Sequence, residues 1–282
     1  MASPSDLSAV EAADLARDLA RHHRELAVSA ASRAEGVAQA DAIGAAMGAV
    51  APRRLPQPQA RPRWGWRRSV RFAVERRMYN SEYLQLYARF LAQRLRHPHI
   101  DFGGMVFLGP RVELYARRHH GRLALGPWCW LGPGNRLRCH EGNLRLGPKV
   151  VLGSNNVVNA YLDVEIGRNA LLGDWIYVCD FDHNYDRVDI PVKKQGLVKT
   201  PVRIGEDVWV GEKVSILRGA DIGAGSVIGS QSLVRGMIPP FSIVVGSPAR
   251  VVRSRLPAGM TCEEALTLQR GGESIPGDPL DG

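Results

Sequence analysis

The stretch IGEDVWVGEKVSILRGADIGAGSVIGSQSLV, residues 204–234, returns an aliphatic side chain at every sixth position: Ile204, Val210, Ile216, Ile222, Ile228 and Val234. With about a quarter of positions aliphatic, six in register arise by chance roughly once in four thousand tries, and a fixed short period marks a solenoid. A small or β-branched residue stands two places before each of the last five, at Val208, Val214, Ala220, Ser226 and Ser232, and glycine follows four of the six, at Gly205, Gly211, Gly223 and Gly229. Each hexad therefore reads as one short strand and one turn. The aliphatic side chain points inward, the small residue takes the tightest place in the coil, and the glycine tolerates the corner backbone.

The same beat runs upstream with slips. Leu125, Leu131 and Leu137 form one run, Leu146, Leu152 and Val158 a second, and Ile166, Leu172 and Val178 a third. Leu108-Gly109 opens the series, so the repeat spans about residues 101 to 254. A sandwich of short strands has no reason to hold a six-residue phase. Offsets between runs imply longer corners, and between Val178 and Ile204 the beat is lost for too long to be a corner. A loop is expected to leave the scaffold over 179–203, and long loops on rigid scaffolds carry function. It opens DFDHNYD, residues 180–186. His183, flanked by Asp180, Asp182 and Asp186, has what a general base needs: a pKa near neutrality and carboxylates to orient it.

From Val158 to Arg253 the chain resembles the hexapeptide-repeat acyltransferases, among them maltose and galactoside O-acetyltransferases and polysaccharide-modifying relatives. The resemblance rests on VEIGRNALLG (164–173), DFDHNYD (180–186), VRIGEDVWVG (202–211) and the closing IPPFSIVVGSPARVVR (238–253). It implies a left-handed parallel β-helix with triangular coils, assembled as a homotrimer with each site between two subunits. It also implies a reaction: transfer of an acyl group from acetyl-CoA or another acyl-CoA to a sugar or polysaccharide acceptor, without metal. The spacing from Ile166 to His183 matches the galactoside enzymes, and His183 takes their general-base place. The resemblance places Trp209 beside the cleft, Asn159 and Asp163 on the acceptor side with Asn156 as a competitor, and Glu212 and Ser230 along the pantetheine. Arg250 and Arg253 match the basic pair that meets the 3′-phosphate of coenzyme A. The family's lysine after the last hexads is Gly236 here, with Arg235 one place earlier. An N-acyltransferase on an amino-sugar nucleotide and a non-catalytic β-helix scaffold are the alternatives.

The other histidines read as solvated or structural: His22, His23, His97 and His99 precede the repeat, His119 and His120 fall in an Arg-rich segment, and His140 occupies a corner between runs. Zinc in a β-helix of the γ-carbonic-anhydrase kind needs three converging imidazoles, and the His183 loop lacks the second one. Cys129, Cys139, Cys179 and Cys262 form no metal spacing or disulfide framework, and Cys179 has no evident base partner.

Outside the repeat, residues 1–50 read as a helical extension with a Ser8–Glu11 capping-box spacing and a thin Leu15, Leu19, Leu26 stripe. Residues 51–66 read as a Pro/Arg-rich linker and 67–98 as a basic amphipathic helix, with Leu84, Tyr87, Leu91 and Leu95 on its apolar face. That helix is expected either to pack across the first coils with its charges in water or to lie on an anionic membrane surface. The tail, 255–282, is expected to fray. Net charge is +9, with arginine concentrated before residue 125 and no nucleic-acid motif, so anionic cosubstrates or glycans are expected rather than nucleic acid. With no signal peptide and no apolar run of membrane length, a cytoplasmic protein with reduced thiols is expected.

Overall fold

The computed structural model describes residues 71, 74 and 78–272, and the extension expected over 1–50 and the linker over 51–66 lie outside the described residues. From Asp101 the chain winds into a parallel β-solenoid of about six turns. Each turn lays one short strand on each of three faces. The first face runs from Asp101–Phe102 to Met237–Ile238, the second from Phe107–Leu108 to Ser242–Val245, and the third from Glu113–Ala116 to Leu233–Val234. Ile204 pairs with Ile222, Val210 with Ile228 and Ile216 with Val234. One coil is thus eighteen residues, and three hexads are its three sides.

The period-six aliphatics fill the interior. Leu131, Leu137, Leu152, Val158, Leu172, Val178, Val210, Ile216 and Val234 have no accessible surface, and the small residues before them, such as Val214 and Ala220, are equally buried. Burying each aliphatic side chain contributes about 2 kcal/mol. Where the beat slips upstream, the extra residues enter at one corner only, between the third face and the first: Leu137 to Leu146, Val158 to Ile166 and Val178 to Ile204. The other two corners never change length, because an insertion there would throw the next two faces out of register.

The corner glycines act differently from the expectation. Gly205 and Gly223 have ordinary φ, but a Cβ on Gly205 would lie 2.6 Å from the Ala224 nitrogen and one on Gly223 2.4 Å from the Pro240 nitrogen. They are glycine because the next coil passes too close. The left-handed backbone falls two residues later, at Asp207, Lys213, Gly225 and Gln231. The amide of each such residue donates to the preceding coil, Asp207 to the Arg168 carbonyl at 3.0 Å and Gln231 to the Glu212 carbonyl at 2.9 Å. Two fully buried asparagines add rungs inside: the Asn135 amide donates to the Gly132 and Gly153 carbonyls and accepts from the Asn156 N–H, while the Asn156 oxygen accepts from the Ile176 N–H.

Helix α1, Ser81–Arg96, lies against the first coil and starts at Asn80, whose side chain accepts from the Tyr83 N–H. Its packing face is Tyr83, Tyr87 and Phe90, which meet Phe107 and Phe102 with ring centroids 5.6–6.3 Å apart. Of the expected apolar face only Tyr87 packs on the coil, since Leu84, Leu91 and Leu95 are exposed. Rings bury more area than leucines and pair edge to face with the aromatics already on the coil. Among the described residues no helix is long and apolar enough to cross a membrane.

The expected fraying does not hold for the described part of the tail, 255–272, which forms helix α2 over Cys262–Gly272; residues 273–282 lie outside the described residues. Thr261 and Glu264 cap it reciprocally, the Glu264 N–H donating to the Thr261 hydroxyl and the Thr261 N–H to the Glu264 carboxylate. Ala265 is buried, and Gln269 and Arg270 reach the Asp207 and Glu206 carboxylates of the fifth coil.

Candidate functional site

The chain leaves the solenoid at the corner where every insertion enters, directly after the strand Tyr177–Cys179. The excursion folds back as a ribbon: Phe181–His183 pairs antiparallel with Leu197–Lys199, Phe181 opposite Lys199 and His183 opposite Leu197. Beyond it, Gln195 closes the arm by donating to the Arg187 and Ile190 carbonyls and accepting from the Arg187 N–H.

Four contacts seat this ribbon. The Asp180 carboxylate, fully buried at its base, accepts from the backbone N–H groups of Tyr161, Leu162 and Asp163 at 2.7–2.8 Å. Asp182 accepts from Arg218 Nε and Arg235 Nη2, both 2.6 Å from its Oδ2. The Phe181 ring packs on Tyr161 at 4.5 Å, Tyr161 stacks on His140 at 4.7 Å, and His140 meets Tyr115 at 5.4 Å. Lys199 lies over the Tyr161 ring and pairs with Glu141.

Side chains alternate along a strand, so Phe181, His183, Leu197 and Lys199 share the ribbon face turned toward Tyr161. Asp182 and Val198 take the opposite face, toward Arg218 and Arg235. His183 itself is exposed and makes no hydrogen bond or ion pair among the described residues. Two of the three expected orienting carboxylates are engaged elsewhere: Asp180 holds a turn, and Asp182 faces away into two guanidinium groups.

Asn159 lies on the outer side of the third face, in register with Cys179 at the base of the ribbon, and its side chain meets the Tyr177 hydroxyl. Burial, aided by the charge of Cys179, raises the Tyr177 pKa. Asp163 is on the first face with its carboxylate between Arg145 and Arg203, so its charge is neutralised within the sheet. Asn156 is buried in the corner ladder and out of reach of any ligand. Burial also raises the Cys179 pKa, and pushes the Cys139 thiol up to about 11 and the Cys129 thiol to about 12. None is a nucleophile at neutral pH. His140 is held below the usual imidazole range by burial and by the nearby Arg138. Among the described residues no group of three His, Cys, Asp or Glu could hold a metal ion.

The second face carries a feature that period-six reading did not reveal. Its outward positions stack in register as Trp130, Val151, Leu171, Trp209, Val227 and Ile243. Trp209 is 53% exposed and Leu171 46%, so an apolar strip runs along the surface. At its end the strand Arg250–Ser254 pairs antiparallel with Ser242–Val245, Val245 opposite Arg250 and Ile243 opposite Arg253, with a bulge between. The bulge absorbs one residue, Val252, and so brings Arg250 and Arg253 onto one face, at the end of the apolar strip. Glu212 and Ser230 lie at the neighbouring corner, where the Gly211 Cα sits so close that a Cβ would be 2.7 Å from the Ser230 nitrogen. Arg235 belongs to a different place: it is paired with Asp182, one residue from His183, and not grouped with Arg250 and Arg253.

Residues 201–236 match the family model of the bacterial transferase hexapeptide (six repeats). The chain is 51% identical over 187 residues to a protein of Mycobacterium tuberculosis named a probable acetyltransferase, covering 66% of this chain and 62% of that one. It is 35% identical over 114 residues to WbbJ of Escherichia coli, named for lipopolysaccharide biosynthesis O-acetyl transfer, covering 36% of this chain and 58% of that one. The chain thus spans about three fifths of the length of these relatives. Its fold is similar to AntD, an N-acyltransferase from Bacillus cereus solved with dTDP and 3-hydroxybutyryl-CoA, with a TM-score of 0.51 at 16% identity over 64% of this chain and 94% of that one.

The buried Asp180 supports the whole ribbon. Asp180→Ala strands three backbone N–H groups and is expected to cost about 3 kcal/mol, a fall of roughly 6–12 °C in the unfolding midpoint. Thermal unfolding followed by circular dichroism checks this; an unchanged midpoint refutes the anchoring role.

Proposed function

We propose that this hexapeptide-repeat chain is an acyl-CoA-dependent acyltransferase, an O-acetyltransferase acting on a hydroxyl of a sugar or polysaccharide precursor. The observation that carries the reading is the second face: an apolar strip through Trp209, Val227 and Ile243 that ends in Arg250 and Arg253 on one side. A strip that is apolar along its length and doubly cationic at its end suits a long, thin cosubstrate with a phosphorylated terminus, as coenzyme A is. Its length is consistent with this, since neighbouring strands lie about 4.8 Å apart. The names of the relatives, an acetyltransferase and an O-acetyl transferase, agree with it.

In this reading His183 removes the proton from the acceptor hydroxyl as its oxygen attacks the thioester carbonyl carbon. The carbon–sulfur bond breaks, the oxygen–carbon bond forms, and the imidazolium returns its proton to the departing thiolate. A backbone N–H beside the groove steadies the oxyanion. Asn159, at the base of the ribbon, is assigned to the acceptor side. Asp163, paired with two arginines, is given no contact with the acceptor.

Three copies complete the site. The exposed strip on the second face is the surface a neighbouring subunit covers, and an imidazole without a partner among the described residues is consistent with a site closed by the next one.

Three outcomes follow. His183→Ala retains coenzyme A binding but lowers turnover about a hundredfold to ten-thousandfold, the usual range for a general base, read as thiol release from acetyl-CoA against a panel of sugars and amino-sugar nucleotides. A loss smaller than tenfold places the base elsewhere. The Arg250→Ala/Arg253→Ala variant weakens coenzyme A binding in calorimetry far more than dephospho-coenzyme A binding, and equal losses remove the phosphate assignment. Sedimentation equilibrium gives three times the chain mass of 30.9 kDa, and an active monomer refutes the trimer.

A further inference from the structure

We propose that Asp182 is a positioning residue: clamped between Arg218 and Arg235, it fixes the ribbon that carries His183 at the working distance from the solenoid. The inference rests on His183 as the base, but the clamp itself stands on contacts that do not depend on that role.

Arg218 and Arg235 follow the third-face strands of two successive coils, Ser215–Ile216 and Leu233–Val234. Both donate to the same Asp182 oxygen at 2.6 Å. Arg218 also lies 3.5 Å from the Thr200 hydroxyl, at the exit of the second ribbon strand, so one guanidinium holds both strands. A single ion pair at this exposure would hold little. Here two cations converge on one anion, and that anion is what lets two guanidinium groups sit side by side. Removing it leaves like charges facing each other beneath the ribbon.

The opposite ribbon face has its own support, Phe181 on Tyr161 and Lys199 on Glu141. The ribbon is therefore gripped from both sides, stacking toward the third coil and charge toward the fifth and sixth. His183 is one residue beyond the charge grip at Asp182 and two beyond the stacking grip at Phe181. Among the described residues its imidazole has no partner, so its position is set by the backbone that these grips hold. Misplacement of a catalytic group by about 1 Å can cost a hundredfold in rate.

The test uses the full chain and four variants: Asp182→Asn, Asp182→Glu, Arg218→Gln/Arg235→Gln, and the triple combination. Hydrogen–deuterium exchange by mass spectrometry reads the ribbon directly. Asp182→Asn is expected to speed exchange of amides 181–183 and 197–199 at least tenfold, while Val227–Ile228 keep their wild-type rates. Acyl transfer from acetyl-CoA is expected to fall about tenfold to a hundredfold in kcat with KM for acetyl-CoA within twofold. Asp182→Glu, which keeps the charge, should retain more of kcat than Asp182→Asn. Asp182→Asn added to the double arginine variant should cause no further loss, because the interaction is already gone. Unchanged ribbon exchange in Asp182→Asn overturns the clamp, and faster exchange with unchanged kcat overturns the positioning role. If the wild type transfers no acyl group to any acceptor while Asp182→Asn still loosens the ribbon, the clamp holds and the acyltransferase reading fails.

Discussion

A β-strand of two residues has no stability of its own, and nearly half of the strands here are that short. Each persists only because its backbone groups are shared with the coil before and the coil after, so coil length is the constraint on which the molecule depends. Eighteen residues bring Ile204 beneath Ile222 and every corner amide beneath the next carbonyl. One residue more at either invariant corner would turn inward aliphatics outward on the following face. The chain can change length only at the corner between the third face and the first, and it is there that His140, Tyr161 and the ribbon are found.

That restriction explains why charge is buried where it is. A departing segment breaks the ladder and leaves N–H groups without the carbonyls that a continuing coil would have supplied. The turn Tyr161–Asp163 faces this gap, and Asp180 fills it with one carboxylate for three donors. Three charge-assisted hydrogen bonds offset the desolvation of a lone acid. The aromatic column from Tyr115 to Phe181 likewise substitutes side-chain stacking for hydrogen bonds at the one edge where backbone pairing is interrupted.

Much of this was legible in the amino-acid sequence, because a solenoid writes its contacts as a period. The inward aliphatics, the small residues before them and the excursion after Val178 could all be read from spacing. The partners of Asp182 could not, since Arg218 and Arg235 are 36 and 53 residues away and neither belongs to the hexad pattern. The corner glycines were placed correctly but for the wrong reason: a close approach between coils leaves no trace in a single coil's pattern. In α1 the leucine period suggested one face while the rings of Tyr83, Tyr87 and Phe90 made another, because the surface they meet is itself aromatic. The helix α2 did announce itself, through Thr261 and Glu264 at capping-box spacing, a signal masked by the glycines and prolines on either side. The outward ladder through Trp209 was hidden in plain view, since it needs the same period counted one residue out of phase.

The strand Arg250–Ser254 has an effect apart from the arginines it presents. It is the only strand pairing antiparallel to the solenoid among the described residues, and it lies on the last open edge of the second face. A solenoid that ended on a parallel strand would offer its final coil as a template to the first coil of another molecule. By reversing direction and twisting through a bulge, this strand spoils the match, while the other two faces stop on strands of only two residues. The molecule can therefore carry a long repetitive surface without growing end to end into fibres.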